Sequence, residues 1–218
     1  WEISEDGKEY IFYLNKDARW SNGEPVNAED IVWSWKRILT ASLGSQYPDM
    51  LYYIEGAEEY HTWVSKEELA EQLESAKNFL EELKTADLSE TLDGILIYTE
   101  KDIEETAQRI LSIENRILNH QPQSWDKVGV KAIGEHILKV NLKSPTPFFL
   151  GLLSHYSTWP VHKETVLKHG DIDDRNGEWT RPGNFVCNGP FKLKTWELNN
   201  KIVVEKNPNY WDAAKVKL

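Results

Sequence analysis

The chain has 218 residues, with 25 Lys and Arg against 36 Asp and Glu, for a formal net charge of −11. Hydrophobic residues at 40% and charged residues at 28% describe a folding chain, long enough for one or two domains. The acidic balance argues against a nucleic-acid partner, no apolar run reaches the roughly 20 residues that span a bilayer, and a lone Cys187 excludes an internal disulfide or a multi-thiolate zinc site.

From the start, Trp1–Ser4 and Lys8–Leu14 are predicted strands around Glu5-Asp6-Gly7, because Asp-Gly favours a hairpin turn. Tyr10, Phe12 and Leu14 share one face and Ile11 and Tyr13 the other, and neither face is polar enough for open water. A helix starts after Asn27, with Asp30 at its third position, Val26 as a staple to Ile31, and Trp35, Ile38, Val32 and Leu39 continuing the apolar stripe. A short helix is expected within Tyr47–Tyr60.

Residues from about Ser65 to His120 form a charged helical section. Ser65 and Glu68 make a capping box, and Leu69, Leu73, Ala76, Leu80 and Leu83 make an apolar seam. A second helix begins at Thr99 with Asp102 at its third position and is expected to bury Ile103, Ala107, Ile110 and Ile117. A helical hairpin is favoured over a coiled-coil dimer. Strands Val128–Ile133 and Ile137–Leu142 follow, joined at Gly134-Glu135-His136, then an apolar helix Phe148–Leu153 behind Pro145 and Pro147. A polar loop, Asp171–Gly183, precedes a hairpin of Phe191–Trp196 and Lys201–Lys206, and Ala213–Leu218 reads as the start of another strand. The fold class expected is α+β (mixed α/β), with small, mostly antiparallel sheets, packed helices and an inserted helical hairpin. With Trp1 inside a strand and that last strand cut short, the chain reads as an excised piece of a longer protein.

No reaction is visible in the residues. The six histidines, at 61, 120, 136, 155, 162 and 169, form no metal-binding spacing, and His162 and His169 are expected to be solvated. Cys187, in a strand-like run Phe185–Asn188, reads as a buried structural thiol. Carboxylate pairs such as Glu58-Glu59 and Asp173-Asp174 belong to surfaces and loops. No catalytic residue, metal site or cofactor is expected. Ten Trp and nine Tyr supply mostly core, with a surplus of the kind that grips peptides or sugars.

Two stretches carry a resemblance. Trp20–Leu39, WSNGEPVNAEDIVWSWKRIL, and Val186–Val216, VCNGPFKLKTWELNNKIVVEKNPNYWDAAKV, resemble the oligopeptide- and dipeptide-binding proteins of ABC importers, the family 5 extracellular solute-binding proteins. Val130–Leu142 and Ser144–Pro160 are similar more loosely. Asn22-Gly23, Pro25, Asn27, Asn188-Gly189-Pro190 and Pro208 also have structural accounts as turns and caps, so these motifs identify the family without marking its binding site.

The resemblance implies a periplasmic or extracellular, membrane-anchored receptor of a two-lobed, type II periplasmic-binding-protein-like fold. It closes on a peptide and hands it to a membrane permease. Residues 1–163 would be the accessory domain of the first lobe, with the helical insertion at about 65–120, and 164–218 would belong to the main part of that lobe. The second lobe and the export signal would lie elsewhere in the protein. Tyr47, in SQYPDMLYYI, and His155, in LLSHYSTWPVHK, match family positions near the ligand. The residues also leave them as a ring under a loop and a helix cap. The family also binds nickel complexes and oligosaccharides, so other solutes remain open. So do a glycan-active enzyme built on Trp platforms and an interaction scaffold built on the inserted helices.

Overall fold

The computed structural model describes residues 1–86, 88, 91–92 and 95–217. Its elements run β1 (Glu2–Ile3), β2 (Glu9–Tyr13), α1 (Ala28–Leu39), α2 (Ala57–His61), α3 (Lys66–Thr85), β3 (Thr91–Leu92), β4 (Ile95–Leu96), α4 (Glu100–Leu118), β5 (Val130–Gly134), β6 (Ile137–Asn141), α5 (Phe149–Leu152), α6 (Lys163–Lys168), β7 (Phe191–Glu197) and β8 (Lys201–Lys206). The chain divides into two compact units, Trp1–Thr62 with Ser124–Leu218, and Trp63–Gln123.

The first unit is built on an antiparallel sheet of order β1-β2-β6-β5. Gly7, at φ +68°, makes the tight turn between β1 and β2 that the Asp-Gly pair predicts. In register, Tyr10 stands opposite Val140, which faces Val130, and Phe12 stands opposite Leu138. This face is closed by α1, whose Ala28, Val32, Trp35 and Leu39 are buried at helical spacing. Leu51, Ile54, Val128 and Phe149 complete the core. Each such side chain contributes roughly 1.5–3 kcal/mol on burial.

The opposite sheet face departs from expectation. Tyr13 is 56% exposed, because that face is not apolar once its neighbours are known. Ile11 lies opposite Lys139, Lys139 opposite Lys131, and Lys139 pairs with Glu9. A two-strand reading of residues 1–14 carries no information about these lysines, which arrive from the far end of the unit.

The start of α1 is fixed by a reciprocal cap. Asn27 accepts from the Asp30 amide at 3.1 Å, and Asp30 accepts from the Asn27 amide at 2.8 Å. Asp30 also accepts from the Trp20 indole at 3.2 Å, and Trp20 is 1% exposed. The two motif stretches of the sequence then meet. The Ser21 amide donates to the Cys187 carbonyl at 2.7 Å, and the Asn209 side-chain amide donates to the Ser21 carbonyl at 3.0 Å. Buried Asn207 donates to the Gly189 carbonyl at 2.8 Å.

Cys187 itself corrects two expectations. Residues 185–188 form no strand, and the thiol is only half-buried, donating to the Phe191 carbonyl at 3.2 Å. Two hydrogen bonds between Ser21 and Cys187, one backbone and one through the serine hydroxyl, hold this segment in place of a sheet ladder. The β7–β8 hairpin forms as expected, with Asn199 in the left-handed region at φ 57°. Beyond it, Ala213–Lys215 is a 3-10 turn and not a strand, and Leu218 lies outside the described residues.

In the second unit α3 and α4 pack as an antiparallel hairpin. Trp63, before α3, donates its indole N–H to the Gln121 carbonyl after α4 at 2.7 Å, while Tyr98 before α4 donates to Glu82 near the end of α3. Both capping boxes form. Leu69 and Ala76 meet Ile110 and Ile113, with Leu73, Leu80 and Ile117 partly covered. The α4 seam is therefore rotated from expectation: Thr106 and Ile113 are buried, while Ile103 and Ala107 are half-exposed. The buried β-branched Thr106 is invisible to a pattern that counts only apolar residues. Positions 87, 89, 90, 93 and 94 of this section lie outside the described residues.

Burial raises the Asp30 carboxyl above its ordinary range, against the opposing pull of its hydrogen bonds to Asn27 and Trp20. Between the ordinary and the raised value the folded state holds a proton that the unfolded chain has released. The contribution of this group to stability therefore falls as pH rises through that window. Urea unfolding across it should show a smaller loss with rising pH in Asp30→Asn than in the parent. An unchanged slope would contradict the assignment.

Candidate ligand-binding site

The segment after α1 turns back on itself before it reaches Tyr47. Gly44, at φ +59°, ends a 3-10 turn at Ala41–Leu43, and Pro48 opens a second one at Pro48–Leu51. Leu51 and Ile54, both fully buried, pin this second turn to the core and leave the Tyr47 ring 37% exposed at the surface. The other half of the site follows α5. His155 stands before a 3-10 turn at Tyr156–Thr158, and its Nδ1 lies 2.8 Å from the Ser157 hydroxyl. The expected capping role of His155 is thus exercised on the turn after it, and not on the helix before it.

One side chain of α1 locks this turn in place. The Trp35 indole donates to the Thr158 carbonyl at 2.8 Å, across 123 positions of sequence. Buried Thr158 in turn donates to the carbonyl of His155 or of Leu153, at 2.9 and 3.0 Å. Ser34, one residue before Trp35, accepts from the Val161 amide at 2.9 Å. Helix α1 therefore sets the position of residues 155–161.

The two residues singled out in the sequence are brought together. Tyr47 and His155 meet edge to face at 5.1 Å between centroids, and Tyr47 meets Tyr156 at 5.9 Å. Partial loss of solvent pushes the Tyr156 phenol up, and the Tyr47 hydroxyl adds to the shift. Beside this cluster opens a groove of about 430 Å³, lined by Tyr47, Tyr156 and Ser157 together with Arg37, Arg175 and Trp179. Arg37 lies over the Trp179 ring at 5.6 Å and donates to the Asp174 carbonyl at 3.1 Å. Burial pulls its guanidinium below the ordinary value, opposed by the carboxylates of Asp174 and Asp173. Arg175 packs over Gly44, where a Cβ would approach its Nη1 to 3.2 Å.

Among the described residues, no carboxylate lines this groove. Its walls offer aromatic edges, hydroxyls and two cationic groups, which can stack on and donate to a ligand. They present no acid–base pair and no activated nucleophile. On the sheet side of the same turn, Phe12, Leu14, Ile31, Trp35 and Leu153 line a smaller apolar recess of about 180 Å³ beside the exposed Trp159.

Tyr156 and Ser157 were within reach of sequence reasoning, as neighbours of His155. Arg37, Arg175 and Trp179 were not, since the last two come from the polar loop expected to be only a connection. His162 overturns its expectation: it is 4% exposed and not solvated.

The family of bacterial extracellular solute-binding proteins described as family 5, middle, matches residues 1–218. The periplasmic oligopeptide-binding protein OppA of Salmonella typhimurium is 32% identical over 215 residues, which are 99% of this chain and 28% of that protein. Among solved structures, an oligopeptide-binding protein of Borrelia burgdorferi, OppAIV, superposes with a TM-score of 0.67 at 30% identity, covering 100% of this chain and 31% of that one. Haemophilus influenzae OppA in complex with RPPGFSPFR gives a TM-score of 0.64 at 25% identity, covering 98% and 30%. The chain thus spans a little under a third of the length of the relatives it matches.

Replacing Trp35 by Phe removes the donor to the Thr158 carbonyl and leaves space beside it. Destabilisation of about 2 kcal/mol in urea is expected, with weakened NOEs between the Tyr47 and His155 rings. Intact NOEs at reduced stability would mean that α1 does not set this contact.

Proposed function

The chain belongs to the family 5 bacterial extracellular solute-binding proteins, and from that premise we propose that it forms part of a receptor that captures peptides outside the cytoplasm for an ABC importer. Residues 1–163 act as the accessory domain of its first lobe, with the helical insertion at about 65–120, and 164–218 contribute to the main part of that lobe. Tyr47 and His155 contact the ligand. The rest of the same protein closes over the peptide, and a membrane permease receives it. The receptor works in the periplasm or at the outer face of the membrane, anchored there, and performs no chemistry on its cargo.

One observation carries this reading. Two residues far apart in the sequence, placed near the ligand by family resemblance alone, touch each other, and one of them, Tyr47, lines an open groove. The groove suits an extended peptide: its ring edges and hydroxyls can follow a backbone without demanding one side chain. The relatives support the same ligand class, since the Salmonella protein is named for oligopeptides and the Haemophilus one was solved with a nonapeptide. An enzyme would need converging acids, and among the described residues the groove lining contains none.

Calorimetry of the full-length protein against a defined pool of oligopeptides tests the assignment. Tyr47→Ala and His155→Ala should each weaken binding by about 10-fold or more, the scale of a contact worth 1.4 kcal/mol. If both variants bind the pool as tightly as the parent, these residues do not form the site.

A further inference from the structure

His162 alone among the six histidines is almost fully enclosed, at 4% exposure. Its ring lies against the edge of Trp20, 5.2 Å between centroids, and its Nδ1 sits 2.8 Å from the Thr165 hydroxyl and accepts from the Thr165 amide at 3.2 Å. The other nitrogen points outward between two carboxylates. Nε2 is 2.6 Å from Glu24 Oε2, across 138 positions of sequence, and 3.5 Å from Glu164 Oε2. The three donor atoms lie within 4.8 Å of one another.

We infer that Glu24, His162 and Glu164 form a site for a divalent transition cation of the zinc, cobalt and nickel class, separate from the peptide groove. An imidazole nitrogen with two carboxylate oxygens is a donor set for such ions, whereas calcium and magnesium favour six or more oxygens. Bonds of about 2.0–2.2 Å in tetrahedral array place donors roughly 3.3 Å apart. The observed separations bracket that value, and the two glutamates, with side chains 57% and 68% exposed, are free to adjust while the buried ring stays fixed. Two carboxylates facing a neutral imidazole offset the charge of the ion.

Binding requires the Nε2 lone pair. In the neutral ring the amide of Thr165 faces Nδ1, so the ring proton sits on Nε2 and is donated to Glu24. On metal binding that proton moves through solvent to Nδ1, which gives up its cap bond to the Thr165 amide and donates to the Thr165 hydroxyl instead, so the site forms at the cost of one capping bond. Three protein donors leave a fourth position for water. The ion would tie the loop carrying Glu24 to the start of α6.

Titration of zinc into the full-length protein by calorimetry, with cobalt absorption as a second readout, tests the site. The parent should bind one equivalent and unfold at higher temperature with zinc present. Glu164→Gln, at an exposed position, should weaken binding about 10-fold or more and remove the thermal shift. His162→Asn, which can still cap the Thr165 amide, should abolish saturable binding at this site and its cobalt bands. Absence of saturable zinc binding, or equal affinity in parent and both variants, would overturn the proposal and leave only a hydrogen bond between His162 and Glu24.

Discussion

The core of the first unit is organised around one short helix. Helix α1 buries its apolar stripe against a four-stranded sheet and, from another flank, holds residues 155–161, which do not pair with the sheet. The indole N–H of Trp35 is the decisive bond. A buried carbonyl left without a donor costs about 1–3 kcal/mol, so the Thr158 turn is held to one position as long as α1 stands. The same helix is continuous with the chain that turns at Gly44 and delivers Tyr47. The contact between Tyr47 and His155 is thus a consequence of core packing, reached through a helix that itself lines the groove with Arg37.

That dependence explains why the residues that carry the family resemblance are not the proposed ligand contacts. Asn27, Asp30 and Trp20 fix where α1 begins. Ser21, Cys187, Asn207 and Asn209 join the loop before α1 to the hairpin near the other end of the chain, through backbone and amide groups that tolerate few substitutes. A binding surface that meets varied peptides can change its side chains. The frame that positions the surface has buried polar groups to satisfy and cannot change as freely.

How much of this was legible follows from the range of each interaction. Capping boxes at Asn27, Ser65 and Thr99, the Asp6-Gly7 turn and the β7–β8 hairpin depend on residues within a few positions, and all were readable. The exposed side of Tyr13, the half-buried Cys187 without its strand, and the rotated seam of α4 depend on partners that a local window does not contain. The candidate site divides the same way. Tyr47 and His155 were found through resemblance, not through chemistry visible in their surroundings, and the groove walls at Arg175 and Trp179 lay in a loop with no pattern of its own. His162 is flanked in sequence by lysines and a glutamate, which reads as solvated surface, while Trp20 and Glu24, which enclose it, come from the other end of the unit.

The central claim is that α1 assembles a ligand-facing surface from Tyr47 and His155. A crystal structure of the full-length protein with the ligand that co-purifies with it tests this most directly. The account predicts that both rings lie within about 4.5 Å of that ligand, the range of a packing contact. A ligand seated elsewhere, with both rings facing only protein or solvent, would contradict it.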